Sequence, residues 1–435
     1  MNAAILVNRV NIGIFGKTNA GKSTIMNLLT DQQTSIVDEK AGTTADVKQA
    51  VLEIHNFGPV KIFDTAGLDE YSKLGEKKKS KALQALKECD LVLLVINPAE
   101  EGGFDEENEI ISLCRQYSKQ VFLVYNIFCK GDWKLAEKCS EKIFNSQKIC
   151  KSIIDAKSAS AKNKLLEFIK SEYKNEKKIP EVLPFIRPSG FVALNIPVDE
   201  ETPLGRLLRP QNVVLDFLLR RMVPFAGFRM DLLKARSGIK SIREGEKRKW
   251  LAFLDDLKGK HNGLQLVITD SQAIDVVADW TPEEIPITTF SITMIHYQSG
   301  GNLHKFVEGL KVVDKLTDGD KICIAEACNH NRTCDDIGTR QIPRRMKEKL
   351  GVNLDIDFVF GREFPSEGKL NRYKLLIHCG GCMIDSQKVN ARMADLQQLK
   401  IPVTNYGLLL SYLKGREALR RVLKPWGVED ERLYR

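Results

Sequence analysis

The chain has 435 residues, 43% of them hydrophobic and 28% charged, with a formal net charge of +9. That length exceeds what one ordinary core organises and points to two or three domains, and the composition is that of a globular protein. No apolar run approaches the roughly 18 residues of a membrane span, and Met1 to Arg9 lack the basic-then-apolar pattern of a signal peptide, so a cytoplasmic protein without membrane contact is expected.

The lysine runs Lys77-Lys78-Lys79 and Lys174 to Lys178 have no interleaved aromatics. They read as solvated surface, and no nucleic-acid partner is expected. Of the ten cysteines, Cys89, Cys114, Cys129, Cys139 and Cys150 are scattered without ligand spacing and read as incidental or buried thiols.

The strand-like run Val10 to Phe15 enters Gly16-Lys17-Thr18-Asn19-Ala20-Gly21-Lys22-Ser23, followed by a helical stretch from Thr24 to Leu29. This is a phosphate loop in its strand–loop–helix context. Its glycines allow a tight turn whose amides face phosphates at a helix N-terminus. Lys22 bridges the β- and γ-phosphates in such a loop, and the Ser23 hydroxyl binds magnesium. The nucleotide-binding set is thus Gly16, Asn19, Ala20, Gly21, Lys22, Ser23 and Thr24.

Ala41-Gly42-Thr43-Thr44 lies where a switch threonine reaches the γ-phosphate and metal, giving Thr44 as a catalytic and magnesium residue. Val60 to Phe63 is a strand ending in Asp64-Thr65-Ala66-Gly67, where Asp64 holds the magnesium water shell and the Gly67 amide senses the γ-phosphate. Leu91 to Ile96 and Val121 to Val124 are buried parallel strands. In combination these motifs resemble the translation-factor-related small GTPases of the tRNA-modification and ribosome-assembly branch. That resemblance implies GTP, Mg2+ and slow hydrolysis. Leu68 stands where Ras-like proteins keep a water-orienting glutamine, and Asn19 matches members that use K+ as a charge stabiliser. Glu76 is either a water-positioning residue or a solvated helix position.

One motif departs from the pattern. The base-reading signature Asn-Lys-x-Asp is here Asn126-Ile127-Phe128-Cys129. The missing carboxylate is the one that accepts two hydrogen bonds from guanine, so weakened guanine selectivity is expected. Asp132 is a nearby carboxylate able to substitute, and Ser158 and Ala159 resemble the following base-contacting loop.

The polar, proline-terminated stretch Lys174 to Pro180 marks a boundary. Phe191 to Pro197 reads as a strand, Gln211 to Met222 as a strongly apolar helix, and Arg243 to Leu257 as a more polar one. The apolar helix is either core or a self-association surface. From about Gly263 strands and helices alternate, which argues an open α/β sheet with crossover helices.

Ligands of such sheets gather at the carboxyl ends of strands. Glu326-Ala327-Cys328-Asn329-His330 follows one strand and His378-Cys379-Gly380-Gly381-Cys382 another, with 47 residues between the two histidines. Cys328, Cys379, Cys382, His330, His378 and Glu326 thus form a candidate metal set, and Cys334 is a further thiol. Thiolates with histidine fit structural zinc. They equally fit an iron–sulfur cluster, which the Gly380-Gly381 amides and the helix after Cys382 favour.

A small GTPase, a middle segment and a Cys-x-His … His-Cys-x-x-Cys domain in this order resemble the HydF family, the maturation GTPases of iron–iron hydrogenase. Asp335 to Gly338 and Ile342 to Arg344 add to the similarity. The resemblance implies a 4Fe-4S cluster on Cys328, Cys379 and Cys382, with His330, His378 or Glu326 as fourth ligand or close neighbour. It implies a homodimer that receives a two-iron precursor from two radical-SAM maturases and delivers it to apo-hydrogenase. The expected architecture is α/β throughout: a P-loop GTPase domain over 1–172, a dimerisation domain over 180–263 and a cluster domain over 264–435. The competing reading is an RNA- or ribosome-assembly GTPase with a C-terminal zinc site.

Overall fold

A computed structural model describes residues 9–30, 48–65, 82–100, 103–129, 131–143, 148–175, 179–197, 207–260, 263–327, 336–361, 364–365 and 367–428. Thr44, Gly67, Leu68, Glu76, Cys328, His330 and Cys334 lie outside these residues. The chain divides into two compact units, residues 1–177 and 178–435.

The first unit runs β1 (Val10–Phe15), α1 (Lys22–Thr30), β2 (Lys48–Ile54), β3 (Gly58–Asp64), β4 (Leu91–Ile96), α2 (Asp105–Gln116), β5 (Gln120–Asn126), α3 (Asp132–Lys142), β6 (Lys151–Ile154) and α4 (Ala161–Glu172). Its sheet order is β2-β3-β1-β4-β5-β6. Only the β2–β3 pair is antiparallel. All six residues of β4 are buried, because a central parallel strand is covered on both faces. Its side chains alternate between two cores: Leu91, Leu93 and Val95 join Ile12 and Ile14, while Val92, Leu94 and Ile96 join Phe15 and Tyr125. Two of the scattered cysteines, Cys89 and Cys114, are buried here. Cys114 lies in the second core, and burial pushes its thiol up to about 12.

The second unit holds two four-stranded sheets. The first part runs β7 (Phe191–Asn195), α5 (Arg209–Arg220), β8 (Phe225–Phe228), α6 (Lys240–Lys258), β9 (Leu264–Thr269), α7 (Ile274–Trp280), β10 (Ile287–Thr289) and α8 (Phe290–Gln298). The rest runs β11 (Lys321–Glu326), α9 (Ile342–Leu350), β12 (Asp355–Phe360), β13 (Leu375–His378), α10 (Ser386–Gln398), β14 (Val403–Asn405), α11 (Tyr406–Lys414) and α12 (Arg416–Leu423). The sheet orders are β10-β9-β7-β8 and β12-β11-β13-β14, every pair parallel.

This topology corrects the boundary expected at 263/264. β9 begins at Leu264 but pairs with β7, so it belongs to the middle sheet, and the sheets divide after β10. β7 is a short, almost wholly buried parallel strand. Such a strand takes neighbours on both edges, and β8 can supply only one. The two sheets also share one hydrophobic core, with Val267 and Ile287 of the first and Ile322 and Ile377 of the second in the same cluster. α5 buries Val213, Val214 and Leu218 and exposes Leu219, so the apolar helix is part core and part surface.

Candidate functional site

The phosphate loop leaves β1 with backbone that only special residues hold. Gly16 and Gly21 have φ of 149° and 95°, and Asn19 sits at 63°, a conformation asparagine tolerates better than most. A Cβ on Gly21 would stand 2.2 Å from Asn126 Nδ2, so close approach as well as φ demands glycine there. Lys22 Nζ donates to the carbonyls of Gly16 at 3.0 Å and Lys17 at 2.6 Å, which lays the ammonium across the mouth of the loop. Lys17 donates to the Gly103 carbonyl and sits 3.4 Å from both Glu106 and Glu107 of α2. Burial pulls its ammonium down, but the two carboxylates outweigh it and hold it above the usual lysine range.

Ser23 Oγ donates to Asp64 Oδ2 at 2.8 Å, so the hydroxyl at the start of α1 and the carboxylate at the end of β3 meet as expected. Asp64 is buried, and its Oδ1 has no hydrogen-bond partner among the described residues. A buried, unpartnered carboxylate oxygen beside a hydroxyl fits an oxygen-seeking cation such as Mg2+. Thr24 is exposed on the first turn of α1.

Asn126 ends β5 and ties the loop to the next strand. Its Nδ2 donates to the Ala20 carbonyl at 3.2 Å, and its Oδ1 accepts from the Ala156 amide at 3.3 Å. The residue joined to Asn126 is Ala156, the second residue after β6, whereas Ser158 and Ala159 lie further along the turn into α4. Ser158 Oγ instead pairs with Ser160 Oγ at 3.1 Å. The available signal was position: Asp155-Ala156-Lys157 follows the strand directly, and a base-reading loop belongs at a strand's carboxyl end. Asp132 does not substitute for the missing carboxylate. Its Oδ2 accepts the amides of Phe128 and Cys129, both at 2.9 Å, and so closes the turn into α3.

In the second unit, β11 and β13 are parallel neighbours with Ala325 opposite His378. Both candidate ligand segments therefore leave the same end of adjacent strands. Cys379 Sγ accepts two backbone amides, from Ala327 at 3.1 Å and from Gly381 at 3.3 Å. Ala327 is the last described residue before Cys328, so the two segments meet at the Cys379 sulfur. A φ of 71° at Gly381 turns its amide back toward that sulfur. The loop is further tied by Arg209 Nη1, donating to the Cys382 carbonyl at 2.6 Å. Gln298 Nε2 reaches the carbonyls of Gly381 at 3.4 Å and Ile384 at 3.2 Å, and Asn405 Nδ2 that of His378 at 3.3 Å.

His378 is placed as a close neighbour of the cysteine loop, one of the two roles open to it. Its Nε2 lies 3.1 Å from Arg392 Nη1 and its Nδ1 2.7 Å from the Cys379 carbonyl. Guanidinium only donates, so Nε2 accepts and Nδ1 carries the proton to the carbonyl. Both ring nitrogens are committed, and the histidine holds the loop. Arg392 also donates to the Gly361 carbonyl at 3.1 Å and lies over the Phe364 ring at 4.8 Å. Glu326 is buried at the end of β11 against Gly338, where an added Cβ would come within 3.3 Å of its Oε1. Cys323 is a core thiol of β11, which burial pushes up to about 12. No group of three or more metal-ligating side chains occurs among the described residues. The fit to a thiolate-bound cluster rests on Cys379, because two amides aimed at one buried sulfur suit a sulfur carrying negative charge.

These features define a P-loop GTPase joined on one chain to an α/β unit that brings a buried thiol to a strand end. Family models match in three places: "50S ribosome-binding GTPase" over residues 11–127, "Hydrogen maturase F dimerization domain" over 246–299 and "Hydrogen maturase F tetramerization domain" over 304–425. Together they take in more than half of the chain, and the chain belongs to the HydF hydrogenase maturase family. A GTPase-domain match is followed along the chain by dimerization- and tetramerization-domain matches. GTPase Der of Nautilia profundicola is 32% identical over 180 residues, 40% of this chain and 38% of that protein. The tRNA modification GTPase MnmE of Desulforamulus reducens is 40% identical over 114 residues, 26% of this chain and 24% of that protein. The chain thus spans well under half the length of these curated relatives. The structure of Aquifex aeolicus Era bound to GDP and aluminium fluoride is 29% identical with a TM-score of 0.31, covering 38% of this chain and 57% of that one. No described helix is long and apolar enough to cross a membrane.

Proposed function

We propose that the chain is a GTP-hydrolysing scaffold and carrier. It holds a 4Fe-4S cluster on Cys328, Cys379 and Cys382 and passes a two-iron precursor to apo iron–iron hydrogenase. The observation that carries this reading is the pair of amides donating to Cys379 Sγ. A thiol is a weak acceptor, whereas a metal-bound thiolate is a strong one and is tuned by such amides.

A cluster held by three thiolates supplies one iron open to exchange, where a second iron unit can bind and leave. The chain's own residues keep the loop in register for that role. Arg209 and Gln298 fix its carbonyls, and His378 orients the Cys379 backbone. Arg392 brings a positive charge beside the thiolate side of the loop. With β9 and β10 in the middle sheet, the cluster-bearing part narrows to the sheet of β11 to β14.

The cargo comes from two radical-SAM maturases in this reading, and the setting is the cytoplasm. A second copy of the chain is the standing partner, and exposed Leu219 and Met222 at the end of α5 offer it apolar surface. Asn19 supports K+ as the charge stabiliser of hydrolysis, so the rate should drop when sodium replaces potassium. Equal rates in the two salts would remove that role.

The cluster assignment is tested by anaerobic purification and reconstitution, with iron, sulfide and zinc measured on the same sample. Roughly four irons with matching sulfide are expected per chain. Zinc without iron or sulfide would overturn the carrier reading in favour of a structural zinc site.

A further inference from the structure

β5 ends at Asn126 and runs on into Ile127-Phe128-Cys129, so a thiol stands where this class of GTPase keeps its guanine-reading carboxylate. The nearby acid, Asp132, is spent on the amides of Phe128 and Cys129. A different acid is better placed. β5 and β6 are parallel neighbours with Asn126 opposite Ile154, and the Ile127 amide bonds the Ile154 carbonyl at 2.8 Å. The two chains therefore leave the sheet side by side, and the first residue beyond β6 is Asp155.

Asp155 is exposed. Its Oδ1 accepts from the Lys157 amide at 3.0 Å, which fixes the side chain in the turn. Its Oδ2 has no hydrogen-bond partner among the described residues. Its neighbour Ala156 gives its amide to Asn126 Oδ1, and Asn126 in turn holds the phosphate loop through the Ala20 carbonyl. Asp155 is thus fastened to the nucleotide loop by two short links. Across from it, half-exposed Phe128 has its ring tip 3.6 Å from where a Cβ on Gly21 would be. The ring stands at the third position of the altered signature and gives an apolar face beside the phosphate loop, while the lysine position is filled by buried Ile127.

We propose that Asp155 supplies the guanine-reading carboxylate that Cys129 does not. Guanine presents two adjacent donors, N1–H and the 2-amino group, and a carboxylate accepts both. Hypoxanthine offers only one of them, xanthine turns a carbonyl toward the acid, and adenine has an acceptor at N1. The base is then read from the β6 side of the sheet edge, and selectivity for guanine is retained despite the altered signature. This inference rests on the GTP reading above.

The test is competition binding on the full chain with Mg2+, using GTP, ITP, XTP and ATP against a fluorescent guanine nucleotide. The wild type is expected to prefer GTP over ITP and XTP by about tenfold or more, the size of one charge-assisted hydrogen bond. Asp155→Asn should lose that preference and gain affinity for XTP, whose C2 carbonyl meets the new amide N–H. Adding Cys129→Asp to that variant should restore GTP over XTP. If Asp155→Asn binds no nucleotide, Asp155→Ala is scored instead, and its GTP-to-ITP ratio should fall toward one. A wild type that prefers GTP while both variants keep its ratios overturns the role of Asp155 and leaves the GTPase intact. A wild type that binds ATP as tightly as GTP overturns the GTP reading itself.

Discussion

Cys379→Ser is expected to strip the cluster and leave GTP hydrolysis unchanged. After anaerobic reconstitution, iron should fall from roughly four per chain to near background. The hydroxyl is a poor soft-metal ligand, and at neutral pH it does not ionise as a thiol does. The fold should survive, because serine still offers an acceptor to the amides of Ala327 and Gly381. A loss of about 1 kcal/mol is the scale for weakening such hydrogen bonds. Hydrolysis should persist because the nucleotide site belongs to a unit with cores of its own, separate from the core behind Cys379. Iron content and hydrolysis rate measured on one preparation decide the matter, and their joint loss would contradict this separation.

The reciprocal variant, Lys22→Ala, should weaken nucleotide binding on the order of a hundredfold while iron and sulfide stay at the wild-type level. Lys22 lies across the loop mouth on the Gly16 and Lys17 carbonyls, where its ammonium is placed for phosphate oxygens. Alanine removes the charge and leaves the special backbone angles of Gly16, Asn19 and Gly21 in place, so the loop keeps its amides but not its cation. Calorimetric titration with a non-hydrolysable GTP analogue gives the affinity. Wild-type affinity, or a parallel fall in iron, would go against this role for Lys22.

Much of both sites was legible in one dimension, for specific reasons. The phosphate loop is contiguous, and its glycines answer a local demand of φ. Ser23 and Asp64 were each singled out from a local pattern, a phosphate loop and a strand ending in an acid, and they meet at 2.8 Å. The two ligand segments were each read as following a strand, and the structure makes those strands neighbours. What was not legible is where a residue's place depends on a partner elsewhere along the chain. A ligand and a supporting role were both open to His378, and Arg392, fourteen residues on, takes its second nitrogen. Strand register ties Asn126 to Ala156. The domain boundary at 263/264 followed the start of regular alternation, and sheet membership moved it.

What the amino-acid order determined by itself is therefore the chemistry available: a phosphate loop, a strand ending in an acid, a broken base-reading signature, and cysteines and histidines that follow two apolar strands. These are set by local backbone geometry and by residue type. The tertiary structure decided which groups are free to use that chemistry. Local turn bonds occupy Asp132, and Arg392 of α10 together with the Cys379 carbonyl occupies both ring nitrogens of His378. Strand pairing turns the Ala327 amide onto Cys379 and sets Asp155 beside Asn126. Both placements come from parallel strands in register, and strand register is fixed by burial across the whole sheet.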